Sequence, residues 1–282
     1  ILALINAGMF AAVYQPYSPL NQYSSLNYGL YQMASSYSRM RATYGQVLTM
    51  LDLIPSGSAV VVQQALPFSL PGITLYTVNN APDNPQWVLA GPYNQYFTAG
   101  MAGYAERLYE SGKYGIYAEA YDMVLLKRDY SGPPIYYKPT NISVQADELQ
   151  HPGQSSIVNG ALELTDVSNA QGWYGPYMFL PPGNYTLVIF MKQSARISSN
   201  SLSIKILGDN LLPIVSNYVI RGSSVGTSWT RVQVNFTVGF LYQNVEVYSY
   251  INSWNGALYV ANESVVQDSG VSFYFGLFWH II

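Results

Sequence analysis

From Leu26 onward, apolar side chains recur at Leu30, Met33, Tyr37, Met40, Tyr44, Val47, Leu51 and Ile54, at spacings that alternate four and three. That 3.5-residue repeat predicts a helix about 45 Å long with one apolar seam, stopped at Pro55. Gly29 and Gly45 weaken the helix, and the flanking positions lack the charges that steer coiled-coil pairing. The pattern therefore favours a helix packed on its own domain over an intermolecular coiled coil.

Beyond Ser58 the period shortens. Ala59 to Gln63, Ile73 to Val78 and Trp87 to Ala90 read as strands. Ala99 to Glu110 reads as a helix closed by Ser111-Gly112, and Tyr114 to Ala120 and Met123 to Lys127 as two more strands. Strands interleaved with helices predict a small α/β layer. Its boundary falls at Ser131-Gly132-Pro133-Pro134 and Lys138-Pro139, because neither proline site can continue a helix.

Residues 140 to 282 carry almost no helical period. Short strand patterns occur at Ile142 to Ala146, Ala161 to Leu164, Tyr177 to Leu180, Tyr185 to Lys192, Ser201 to Leu207 and Val215 to Ile220. They continue at Trp229 to Val238, Asn244 to Tyr250, Ala257 to Val260 and Gly270 to Phe278. Many short strands separated by Gly, Pro, Asn and Ser predict a β-sandwich of jelly-roll type. The expected fold class is α+β and mostly β: a long N-terminal amphipathic helix with a small α/β domain, then a jelly-roll-like sandwich. The divisions are 1–23 for an apolar segment and linker, 24–130 for the helix and α/β domain, 131–140 for the Pro/Gly linker and 141–282 for the sandwich.

Composition narrows the function. The chain of 282 residues is 49% hydrophobic but only 10% charged, with no cysteine and 27 tyrosines. Ordinary soluble domains carry about 25% charged residues, so Tyr, Ser, Asn, Gln and Thr must wet this surface. Thiol chemistry and disulfides are excluded. A net charge of −3 without a basic stripe argues against nucleic acid as a partner. Ile1 to Tyr14 is apolar apart from Asn6, which is shorter than the roughly 20 residues that span a bilayer. Three readings of it stay open: the stub of a membrane helix, which would hold the chain near a membrane, a buried element of the fold, or a tail offered to a neighbouring subunit.

Two stretches carry a family resemblance. Leu53-Ile54-Pro55-Ser56-Gly57-Ser58-Ala59-Val60-Val61, with Tyr109 to Gly115 and Ala118 to Arg128, resembles the region that follows the last membrane helix in predicted archaeal polytopic membrane proteins. The membrane portion of that family resembles C-superfamily glycosyltransferases, mannosyltransferase-like enzymes that use lipid-linked sugars. Trp173-Tyr174-Gly175-Pro176-Tyr177-Met178-Phe179-Leu180-Pro181-Pro182-Gly183-Asn184-Tyr185-Thr186 is similar to a strand-turn-strand of the jelly-roll sandwiches appended to such enzymes and of carbohydrate-binding modules. The resemblance implies an extracytoplasmic position and carbohydrate contact. It does not imply catalysis, because the membrane helices and acidic loop that would serve glycosyl transfer lie outside the matching residues.

No catalytic constellation emerges from the residues themselves. Gly222-Ser223-Ser224-Val225-Gly226 spells a nucleophile elbow, but it lies between two strands, and the only histidines are His151 and His280. Asp147 with Glu148, and Glu119 with Asp122, are the carboxylate pairs a glycosidase would need, yet neighbours on a strand face opposite ways. No catalytic residue, cofactor or metal ligand is assigned; calcium held by some of Asp147, Glu148, Asp166 and Asp268 is the alternative. Candidate sugar-stacking aromatics are Trp173, Tyr174, Trp229, Trp254 and Tyr259, with core packing as their competing role. Four N-x-S/T sequons at Asn141, Asn184, Asn235 and Asn262 are candidate glycosylation sites.

The expectation is a non-enzymatic structural or interaction protein of an archaeal cell surface, extracellular, that associates with itself or with other envelope proteins. Ile1 to Tyr14 would build a filament or lattice by strand addition. The alternative is a carbohydrate-binding or acceptor-positioning domain of a membrane glycosyltransferase, with a sandwich glycosidase as a third reading. So few carboxylates also predict tolerance of acid.

Overall fold

In the first sheet, neighbouring residues of one strand enter two different cores. Trp87 and Leu89 of β3 (Trp87–Ala90) pack on one side of the sheet, and Val88 and Ala90 on the other. Met123 and Leu125 of β5 (Met123–Arg128) follow β3's first side, Val124 and Leu126 its second. Such runs are apolar throughout because both faces are covered, so they read as continuous hydrophobic blocks rather than as alternation. The computed structural model describes residues 45–46, 48–62, 72–91, 103–153, 155–208 and 211–268.

This sheet has six strands in the order β2-β1-β3-β5-β4-β6. Its remaining members are β1 (Ala59–Val61), β2 (Thr74–Tyr76), β4 (Tyr114–Ala120) and β6 (Tyr136–Lys138). Pairings of β1 with β2, β1 with β3 and β4 with β6 are parallel; those of β5 with β3 and with β4 are antiparallel. One face is covered by Met50, Leu51 and Ile54, at the end of the heptad pattern. The other is covered by α1 (Tyr104–Glu110), through Ala105, and by Phe179 and Leu241 of the sandwich. Thus the two halves of the chain share a core. The stretch marked from sequence as a linker supplies β6, which extends this sheet beside β4.

The sandwich holds β7 (Asn141–Gln145), β8 (Ser155–Val158), β9 (Ala161–Leu180), β10 (Gly183–Gln193), β11 (Ser201–Leu207), β12 (Pro213–Arg221), β13 (Thr230–Val238) and β14 (Tyr242–Gln267). Residues 246–253 of β14 pair with β11 on one side and β9 on the other, whereas residues 257–267 pair with β10, β9 and β7. Each of β9 and β14 therefore runs through both layers. Sequence patterns split each of them into two strands, and Gly172, Gly175-Pro176 and Asn255-Gly256 fall between the pieces. Here they bend the strand without reversing it. Gly256 has φ +74° and donates its N–H to Asp166 Oδ1 at 2.7 Å, which carries β14 from one layer to the other.

Between the layers lie Leu202, Ile204 and Ile206 of β11, Leu187 and Ile189 of β10, Val234 and Phe236 of β13, and Trp173 and Trp254. Burying each such side chain contributes about 1.5–3 kcal/mol. The structure bears out a mostly β chain with a sandwich. The apolar segment 1–14, the heptad positions up to 44 and at 47, the strand expected at 270–278 and His280 lie outside the described residues.

Candidate functional site

The outward face of β7-β14-β10-β13 gathers most of the sandwich's singular chemistry. On β10, Tyr185, Leu187, Ile189 and Met191 turn into the core, so Asn184, Thr186, Val188, Phe190 and Lys192 form the opposite face. Register then sets cross-strand rows. Lys192 stands opposite Tyr259 of β14, and Tyr259 stands opposite Glu163 of β9. Trp229 closes the row just before β13. The Lys192 ammonium lies 4.8 Å from the Trp229 ring centre and 5.2 Å from that of Tyr259. Both distances are within cation–π range.

Tyr259 donates its hydroxyl to Glu163 Oε1 at 3.3 Å, and Thr165 Oγ1 donates to the same oxygen at 3.4 Å. Desolvation first, and then the Glu163 carboxylate, raise the Tyr259 phenol above its ordinary value. Trp229 stays 46% exposed and Phe190, one row away, 36%. The row therefore offers an indole surface, a phenol, a cation and a carboxylate side by side on a rigid sheet.

Of the five aromatics singled out in the sequence, Trp229 and Tyr259 meet here. Tyr174 lies on the other layer, bridged to Gln150 and paired with Tyr248. Trp173 and Trp254 are core residues, 0% and 1% exposed, which corrects their reading as sugar contacts: an indole with no solvent-facing edge has no surface to stack on. Lys192, Glu163 and Phe190 were not legible as partners of Trp229. Only strand register brings residues so distant in sequence into one row.

The other candidate groups have structural duties. Glu148 Oε2 accepts the Gln145 backbone N–H at 2.9 Å, and Asp147 shares that 3-10 turn. Glu119 is buried in the first sheet, and Asp122 lies in the turn between β4 and β5. His151 Nδ1 and Ser155 Oγ are 2.6 Å apart, but that oxygen also donates to Pro152 O at 2.6 Å, closing the loop before β8. Ser224 donates to Arg221 O, and Gly222 is fixed in a buried knot where its N–H donates to Asn200 O at 2.6 Å and its carbonyl accepts from Gln193 Nε2 at 2.7 Å. An elbow on a strand-to-helix turn is absent at that sequence. Among the described residues no three His, Asp or Glu side chains gather as a metal site.

Glu263 is an acid that the sequence did not single out. It projects from β14 into the sandwich core, 1% exposed, and Oε1 accepts the indole N–H of Trp173 from the opposite layer. Burial pushes its carboxyl up to about 8, opposed by that hydrogen bond. It carries a proton at neutral pH and ties the layers together.

No family model matches the sequence, and no curated protein matches it. Solved structures do show similarity. The C-terminal CBM6 of LamC, a laminarinase of Zobellia galactanivorans, is 12% identical over 45% of this chain and 100% of its own, with a TM-score of 0.34. The CBM36-1 domain of a multidomain xylanase from the hindgut metagenome of Trinervitermes trinervoides is 14% identical over 46% of this chain and 99% of its own, also at 0.34. A xylan-binding module, CBM15, is 10% identical over 46% of this chain and 97% of its own, with the same TM-score.

Proposed function

We propose that this chain is a non-enzymatic, extracytoplasmic module that contacts carbohydrate through the row Glu163-Tyr259-Lys192-Trp229. The observation that carries the reading is the half-exposed Trp229 indole set beside a cation, a phenol and a carboxylate on one sheet face. A pyranose has an apolar face of C–H bonds and a rim of hydroxyls. The indole matches the first, while Lys192 as donor and Glu163 as acceptor match the second. Strands hold Glu163, Tyr259 and Lys192, and Trp229 directly precedes β13, so little side-chain entropy is lost on binding.

The sequence resemblance to glycosyltransferase-associated regions supports a position outside the membrane, where such a module would present or hold glycan. No helix among the described residues is long and apolar enough to cross a membrane. The filament-forming role expected for Ile1 to Tyr14 rests on residues the structure does not describe. Retardation of the protein in native gels cast with neutral polysaccharides tests the reading. It predicts retardation that Trp229→Ala removes; equal mobility in every gel rejects it.

A further inference from the structure

All four sequons fall on strands of one sheet, with the same polarity. An N-x-S/T triplet has the period of a strand, so its asparagine and hydroxyl share one face and its middle residue takes the other. The middle residues Ile142, Tyr185, Phe236 and Glu263 are all buried in the sandwich core. Asn141, Asn184 and Asn235 are exposed on the outer face, and Asn262 is half-buried there beside Phe190.

Register turns the triplets into a lattice. Asn141 of β7 stands opposite Val266 of β14, Val266 opposite Thr186 of β10, and Thr186 opposite Asn235 of β13. Two residues on, Asn184 stands opposite Thr237. Thr186 Oγ1 donates to Asn235 Oδ1 at 3.0 Å, and Thr237 Oγ1 donates to Asn184 Oδ1 at 2.9 Å. The Asn184 and Asn235 carboxamides are thereby each held by the oxygen rather than by Nδ2.

We propose that this outer face is an N-glycosylated face, modified at Asn141, Asn184 and Asn235. A membrane transferase would supply the sugar from a lipid-linked oligosaccharide phosphate or diphosphate. The bond from the anomeric carbon to the phosphate oxygen breaks, a bond from that carbon to Asn Nδ2 forms, the lipid phosphate leaves with the electron pair, and Nδ2 gives up one proton. The glycans hydrate a face whose own groups are mainly amides and hydroxyls, in a chain only 10% charged. This inference stands apart from the carbohydrate-contact reading, and its failure would leave that reading intact.

The test is glycopeptide mass spectrometry, after chymotryptic cleavage, of the full chain purified from the cells that naturally make it. Sugar attached to two or more of Asn141, Asn184 and Asn235 is the expected result. Ser143→Ala should then remove the Asn141 glycan with the asparagine intact, and Ser143→Thr should restore it. Two or more of the three recovered only as unmodified peptides, or sugar confined to serine and threonine, overturns the proposal.

Discussion

Trp173 and Glu263 meet across the sandwich core, the indole N–H of one layer donating to a carboxyl oxygen of the other. An ionised carboxylate in that place would be costly, so the acid is held protonated. Its second oxygen, Oε2, is buried and has no hydrogen-bond partner among the described residues. The contact therefore makes the stability of the sandwich depend on pH in an unusual direction.

An acid whose folded pKa is raised binds more protons folded than unfolded, so its contribution is complete below the unfolded value of 4.5 and is lost as pH rises through about 8. Between those limits the loss is about 3–5 kcal/mol. Glu246, raised chiefly by burial, acts in the same sense. Melting should therefore hold or rise from pH 7 to pH 4.5 and fall toward pH 9, and Glu263→Gln should flatten the profile. A melting temperature that climbs steadily from pH 4.5 to pH 9 would show that Glu263 is ionised in the fold.

The three tryptophans among the described residues of the sandwich should separate cleanly. Trp173→Ala and Trp254→Ala each empty a core site and should cost about 3–5 kcal/mol, the first also stranding Glu263. Trp229→Ala removes a half-exposed ring and should cost under about 1 kcal/mol. Urea titration of the three variants measures this, and comparable losses for all three would place Trp229 in a packing role.

Gly222 has no room for a side chain. A Cβ there would lie 2.0 Å from Ile197 O and 2.8 Å from Asn200 Cβ. Gly222→Ala must displace the Asn200 knot and should cost about 1–3 kcal/mol. Full stability in a thermal melt of that variant would mean the turn is free to move.

The reciprocal threonine–asparagine bonds are exposed and neutral, so each should be modest. In protein made without glycosylation, Thr186→Val and Thr237→Val should each cost about 0.5–1 kcal/mol. Chemical denaturation of both single variants and the double variant reads the values. A gain in stability from either would show that the pairing is not formed in solution.

Much of the fold was legible because alternation is a direct print of one-sided burial. Arg231 to Val238 of β13 alternates polar and apolar, and the structure places Val234, Phe236 and Val238 inside. The bends of β9 and β14 were not legible, since glycine and asparagine write a bend and a reversal in the same letters. Trp229 and Tyr259 could be picked out as aromatics, but their meeting with Lys192 and Glu163 follows from register across β9, β14 and β10, which no local pattern encodes. Trp173 and Trp254 read wrongly for a related reason: indoles serve cores and sugar platforms alike, and only burial distinguishes them. Glu263 hid as the middle residue of a sequon, a position that in a strand is turned inward.

Calorimetric titration of one oligosaccharide, cut from a polysaccharide that retards the protein, against three proteins tests the central claim most directly. The wild type and Tyr174→Ala, altered on the other layer, should bind alike, whereas Trp229→Ala should lose at least tenfold in affinity. Binding unchanged in Trp229→Ala, or lost instead in Tyr174→Ala, would contradict the assignment of the Glu163-Tyr259-Lys192-Trp229 row as the carbohydrate-contacting surface.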